Sequence, residues 1–180
     1  MEITKEKAIR LAVVSVGAMF IASCASPTYP DLANAQQNNT LIPGNAIEEK
    51  NKALVLKAFD TLFNQRDYVA AESYWPPTYI QHSAHIEPGR EGLFNLVKSS
   101  PPTLKYEPGT IVADGDFVIV HGRFSGFGQP VNWIAADIVR IEAGLLVEHW
   151  DVIQDEATQE ESKSGLPMFG HNFPNPSENK

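Results

Sequence analysis

One cysteine in 180 residues, Cys24, leaves the chain unable to close an intrachain disulfide or to build a cysteine-based metal site. Glycine-rich phosphate loops are missing too. Neither Gly-x-x-x-x-Gly-Lys nor a dinucleotide glycine pattern occurs, and Gly-x-Ser-x-Gly is absent. Nucleotide chemistry and the serine-hydrolase elbow are therefore set aside. Basic residues are few, 14 Lys and Arg against 22 Asp and Glu for a net charge of −8, and no basic stripe alternates with aromatics. An acidic surface repels phosphate backbones, which excludes nucleic acid as a partner.

What is present begins with an export signal. Lys5, Lys7 and Arg10 make a basic start, and Leu11 to Ile21 is an apolar run too short to span a bilayer. Residues 1–23 read as a lipoprotein-type signal peptide, because Ile21-Ala22-Ser23-Cys24 resembles a lipobox that would lipidate Cys24. Ala33-Asn34-Ala35 is the competing cleavage site, of ordinary signal-peptidase type. Removing residues 1–23 leaves a net charge of −9. The expected setting is the bacterial cell envelope, lipid-anchored on the periplasmic side or free in the periplasm, with no membrane contact except the anchor. Residues 24–44, rich in Ser, Pro, Asn and Gln, form a polar tether.

From Asn45 the pattern changes to that of a folded domain, expected over 45–156, with a polar tail at 157–180. Leu54/Val55, Ala58/Phe59 and Leu62/Phe63 recur every four residues, which predicts a helix with Asn45 as its cap. Asp67 to Trp75 predicts a second helix, stopped by Pro76-Pro77. Arg90 to Val97 predicts a third, ended by Pro101-Pro102. Between the last two lies an extended piece, Thr78 to His82. Then β-rich runs follow, Thr103–Val112 and Phe117–Phe124, joined at Asp114-Gly115-Asp116, and a hairpin over Val131–Ile153. Helices first and strands afterwards indicate an α+β domain, a curved antiparallel sheet closing over three helices.

The hairpin carries the chemistry. Its register decides which groups meet, since a one-residue slip turns every side chain over. A two-residue loop at Ala143-Gly144 needs positive φ at both residues, which alanine resists. The three-residue loop Glu142-Ala143-Gly144 needs it only at Gly144, and is expected. It pairs Ile141 with Leu145 and Asp137 with His149, with Asp151 diagonal on the same face. Trp133, Ala135, Val139, Val147 and Ile153 complete that face, and Asn132, Arg140, Glu148 and Trp150 take the other. A carboxylate in an apolar wall costs several kcal/mol to keep charged. A second acid nearby pushes the two titrations apart, which suits proton transfer. A structural hydrogen bond between Asp137 and His149 is the plainer alternative.

Tyr79-Ile-Gln-His82, Gly89-Arg-Glu-Gly92, and Asp137-Ile-Val-Arg through Val-Glu-His-Trp-Asp151 together resemble the SnoaL-like polyketide cyclase branch of the nuclear-transport-factor-2-like superfamily, over about residues 46–155. The resemblance implies a cone-shaped sheet and three helices around an apolar pocket, and cofactor-free aldol cyclisation. It implies that an aspartate on the last strand is the acid/base, which falls on Asp151. The facing position on the preceding strand, polar in the family, is acidic here, Asp137.

The candidate catalytic residues are thus Asp151, Asp137, His149 and His82, the last as donor to a substrate oxygen at the pocket mouth. Trp133, Val139, Trp75 and His121 are candidate pocket residues. His85 is expected in solvent, and Arg123 either orients an anionic or carbonyl group or sits at a solvated edge. His82 and His85, three apart in a loop, make a weak metal pattern, and no metal or cofactor is expected. Three functions remain open: a lyase or isomerase on a small hydrophobic carbonyl compound, a tethered carrier for a lipophilic molecule without turnover, and a homodimer pairing through the face of Arg140 and Trp150.

Overall fold

The computed structural model of the protein describes residues 43–174. Cys24, both cleavage sites, the tether as far as residue 42 and the last six residues of the tail lie outside the described residues. The first helix, α1 (Pro43–Phe59), starts ahead of Asn45, so Asn45 lies within its first turn and not at the position before it. The predicted face is the buried one: Val55, Ala58, Phe59, Leu62 and Phe63 all enter the core. The helix runs on through a wide π turn at Asp60–Asn64, which carries Phe63. Asn64 then ties it to the sheet, donating from Nδ2 to the Tyr106 carbonyl and accepting from the Tyr106 N–H.

The second helix, α2 (Tyr68–Ala71), is a single turn, not the span to Trp75. Asp67 does cap it, taking the Ala70 N–H at 3.0 Å. The double proline at 76 and 77 disfavours helical conformation just upstream, so the chain turns out of the helix after Ala71. Helix α3 (Gly89–Ser99) is slightly longer than the pattern suggested. Gly92 within it presses on the backbone of Glu87, where an added Cβ would stand 1.9 Å from the carbonyl oxygen. Only glycine fits there. Arg66 closes the far end of α3, donating to the carbonyls of Val97, Ser100 and Pro101, where a cation also suits the helix terminus.

Five strands form one sheet: β1 (Ile80–Gln81), β2 (Lys105–Asp114), β3 (Phe117–Ser125), β4 (Trp133–Glu142) and β5 (Leu145–Asp155), in the spatial order β1-β5-β4-β3-β2. Four strands run antiparallel, as expected. The two-residue β1 joins β5 in parallel, so the sheet is mixed. The inner face meets the helices around Trp75, Phe94, Leu62, Val118, Val120, Val139 and Leu146, all fully buried. Edge-to-face contacts of Phe59 with Phe63, at 5.4 Å, and of Trp75 with Phe94, at 5.9 Å, knit the helix side of this core.

The β4–β5 hairpin departs from the expected loop. Glu142 pairs with Leu145, so the turn is the two-residue Ala143-Gly144, with φ of 52° and 78°. Alanine accepts the left-handed conformation, at roughly 1 kcal/mol. The register then shifts: Ile141 opposes Leu146 but Arg140 opposes Glu148, leaving Val147 as an extra, unpaired residue. That bulge restores the parity the shorter turn removed. Asp137 therefore faces Asp151 directly instead of His149, and His149 faces Val139.

Beyond β5 the chain stays engaged. Glu156 is buried, its carboxylate gripped by Arg123 at 2.5 Å and by Asn132 at 2.8 Å. Part of the tail returns over the sheet, and Phe169 covers the Arg123 guanidinium at 4.7 Å and lies 5.7 Å from His121. Arg123 therefore serves neither a ligand nor a solvated edge. No helix among the described residues is long and apolar enough to cross a membrane.

Candidate active site

A cavity of about 280 Å³ opens between the helices and the inner face of the sheet. Phe59 at the end of α1, Phe63 on the π turn that follows it, Leu93 and Val97 from α3, and Phe124 of β3 give it apolar walls. Asp137, His149 and Asp151 come through the sheet side, and Trp133 and Ile153 extend the same strands. Among the described residues, neither lysine nor arginine lines the cavity.

Asp137 and His149 are almost fully buried, at 4% and 5% exposed. His149 Nε2 meets Asp137 Oδ1 at 3.1 Å, across a diagonal of the β4–β5 pair. Burial pushes the Asp137 carboxyl above its ordinary value, Asp151 pushes the same way, and the bond to His149 opposes both. The second oxygen, Asp137 Oδ2, has no partner among the described residues. An orphaned buried acceptor costs about 1–3 kcal/mol. Asp151, opposite Asp137 on β5, is only half-buried.

Two contributors escaped the sequence reading. Tyr79, at the entrance to β1, is buried against the cavity, and burial, with the charges of Asp137 and Asp151, drives its hydroxyl upward. It is held as a neutral O–H donor. Gln81, two residues on, points to the same side because β1 alternates, and its Oε1 lies 2.9 Å from His149 Nδ1. The signal was present in Tyr79-Ile-Gln-His82: whichever face takes Gln81 also takes Tyr79.

That alternation removes His82 from the site. It lies on the outer face, stacked on Trp150 at 4.8 Å and bonded through Nε2 to Glu148 Oε1 at 2.9 Å. His82, with Arg140, holds the Glu148 carboxyl below its ordinary range. Three expected pocket residues also lie elsewhere. Trp75 and Val139 are wholly buried in the core, and His121 is on the outer face beneath Phe169. Trp133 does line the cavity, against Phe127 at 4.3 Å and His85 at 5.3 Å, so His85 belongs to the cavity wall and is not merely solvated. His82 and His85 thus separate to different sides, and among the described residues no set of three His, Cys, Asp or Glu gathers as for a metal ion.

Helices backing a mixed sheet, with an acid cluster inside an apolar cavity, place the protein in the nuclear-transport-factor-2-like fold class. The SnoaL-like domain family matches residues 55–149, over half of the chain, and the protein belongs to that family. It is similar in structure to a candidate ketosteroid isomerase from Kribbella flavida, with TM-score 0.55, 14% identity, and coverage of 71% of this chain and 97% of that one. It is also similar to a candidate polyketide cyclase from Acidithiobacillus ferrooxidans, with TM-score 0.51, 17% identity, and coverage of 58% and 88%. TsrD from Streptomyces laurentii aligns with TM-score 0.50 at 22% identity, over 59% of this chain and 89% of that one. These likenesses establish the fold. No curated protein matches the sequence.

Proposed function

We propose that the domain is a cofactor-independent lyase or isomerase acting on a small, uncharged, hydrophobic carbonyl compound. One observation carries this reading: two aspartates and a histidine share one wall of an apolar cavity whose lining, among the described residues, holds no lysine or arginine. Two acidic side chains facing no lysine or arginine disfavour a carboxylate or phosphate ligand, which supports a neutral substrate. In this scheme the half-buried Asp151 takes a proton from carbon next to the carbonyl. The C–H pair becomes a C=C bond and the carbonyl π pair moves onto oxygen, which Tyr79 O–H steadies. Return of the proton to another carbon gives isomerisation, and attack of the enolate on a second carbonyl gives ring closure. Proton transfer supplies about 10²–10⁴-fold and an oxygen donor about 10²–10³-fold.

The test is kcat/KM on a panel of cyclic ketones and diketones. Asp151→Asn is expected to lower it by about 10²–10⁴-fold, and an unchanged value would remove the proposal. The apolar lining also favours a second reading, a carrier without turnover. It would make ligand affinity depend on Trp133→Ala and ignore Asp151→Asn. Residues 1–24 support a lipid-anchored, exported setting, which mass spectrometry of membrane-extracted protein tests through an acylated Cys24.

A further inference from the structure

The hydrogen bonds behind Asp137 have only one consistent direction. The backbone N–H of Ser83 donates to Gln81 Oε1 at 2.9 Å, and that donor is fixed by the peptide. Turning the Gln81 amide over would set its NH₂ against a second N–H, so Oε1 is the atom that faces both Ser83 and His149. Oε1 has no proton to give, and His149 Nδ1, 2.9 Å away, must be the donor. The remaining ring nitrogen, Nε2, is left facing Asp137 Oδ1 at 3.1 Å. A neutral ring presents a lone pair there, which requires the proton to come from Asp137, and a charged ring supplies its own. In both cases one proton occupies the Nε2–Oδ1 gap, and Oδ2 is free to accept.

We infer that Gln81 is a positioning residue that fixes the tautomer of His149, thereby holding a single proton between His149 and Asp137 and leaving Asp137 Oδ2 as an acceptor for a ligand hydroxyl or enol O–H. Gln81 touches no ligand in this scheme, since it stands behind His149, outside the cavity lining. The raised pKa of Asp137 agrees with a retained proton. The other titratable groups facing the pair are Asp151 on β5, Tyr79 beside β1 and Tyr106 on β2, with His85 on the cavity wall. At neutral pH the two tyrosines, both driven upward by burial, stay neutral and do not compete for this proton. The inference deepens the proposed function by naming the ligand group that meets Asp137, but the tautomer itself holds whether or not turnover occurs.

The experiment is long-range ¹H–¹⁵N NMR of the histidine rings, with His149 assigned among the five histidines by its loss in His149→Asn. In the wild type, Nδ1 is expected at the protonated position. In Gln81→Leu the acceptor is gone, and Nδ1 is expected to move toward the unprotonated position as Nε2–H turns to Asp137. Gln81→Glu supplies an acceptor again and is expected to return Nδ1 to the protonated position. A folded Gln81→Leu whose His149 tautomer is unchanged would overturn the inference. Should that variant not fold, Gln81→Glu decides alone, and an unprotonated Nδ1 there overturns it equally. If the tautomer follows Gln81 while Asp151→Asn keeps full activity, the positioning role stands and only the assigned base falls.

Discussion

At the scale of single residues, Asp137 separates stability from use. Its carboxyl pKa is raised above the ordinary 3.8, chiefly by burial. The folded protein therefore binds that proton more tightly than the unfolded chain does. Its contribution is present in full below the ordinary value, is lost as pH climbs through the raised one, and levels off above it. Asp137→Asn keeps the shape and a hydrogen bond to His149 Nε2 without a charge to desolvate. The variant is expected to gain stability over wild type as pH climbs above the raised Asp137 value, with the gain vanishing near pH 4, as read by thermal unfolding across pH. A gain that persisted near pH 4 would mean that burial of charge is not the cause. Glu156, also buried, is fully paired on both oxygens. It is held by Arg123 and Asn132, so Glu156→Gln is expected to cost roughly 2–3 kcal/mol in denaturant unfolding.

At the scale of elements, the hairpin shows what could be read from sequence and why. The face shared by Asp137, His149 and Asp151 depends only on the parity of loop plus bulge. A three-residue loop without a bulge and a two-residue loop with Val147 bulged have the same parity, so the grouping was legible although the pairing was not. Local turn preference argued against Ala143 at positive φ, and the sheet overrode it. Ala143→Gly should accordingly stabilise the protein by about 0.5–1 kcal/mol, the relief of the left-handed strain exceeding the added freedom of the unfolded chain. Chemical denaturation measures the difference. His82 was misplaced for another reason. Its face is fixed by the parallel pairing of Gln81 with His149, a contact between residues 68 apart that no local pattern announces. Tyr79 and Gln81 were missed by the same error, since one choice of face settles all three.

At the scale of the whole molecule, the family, the helix-then-sheet order and the apolar interior were all legible, because they rest on periodicity and on motifs that lie close together in the chain. The outer face of the sheet adds something more. Val112, Ile119, Ile138 and Trp150 are paired one with the next across β2, β3, β4 and β5, a row of apolar side chains on the side away from the helices. Phe117 and Val152 flank this row and are exposed. A contiguous apolar patch of this kind suits burial against a second copy. Sedimentation at rising concentration is expected to show a dimer that Ile119→Glu dissociates, and a wild type that stays monomeric throughout would end that expectation.

In the proposed reaction, Asp151 removes a proton from carbon inside a largely apolar cavity. Exchange of that carbon-bound proton for deuterium, followed by ¹H NMR in D₂O with a cyclic ketone that the protein binds, measures the step itself. Wild type should wash the signal out, and Asp151→Asn should slow the loss by about 10²–10⁴-fold with binding retained. Equal exchange in the two proteins, or none beyond the rate in buffer with the ligand bound, would contradict it.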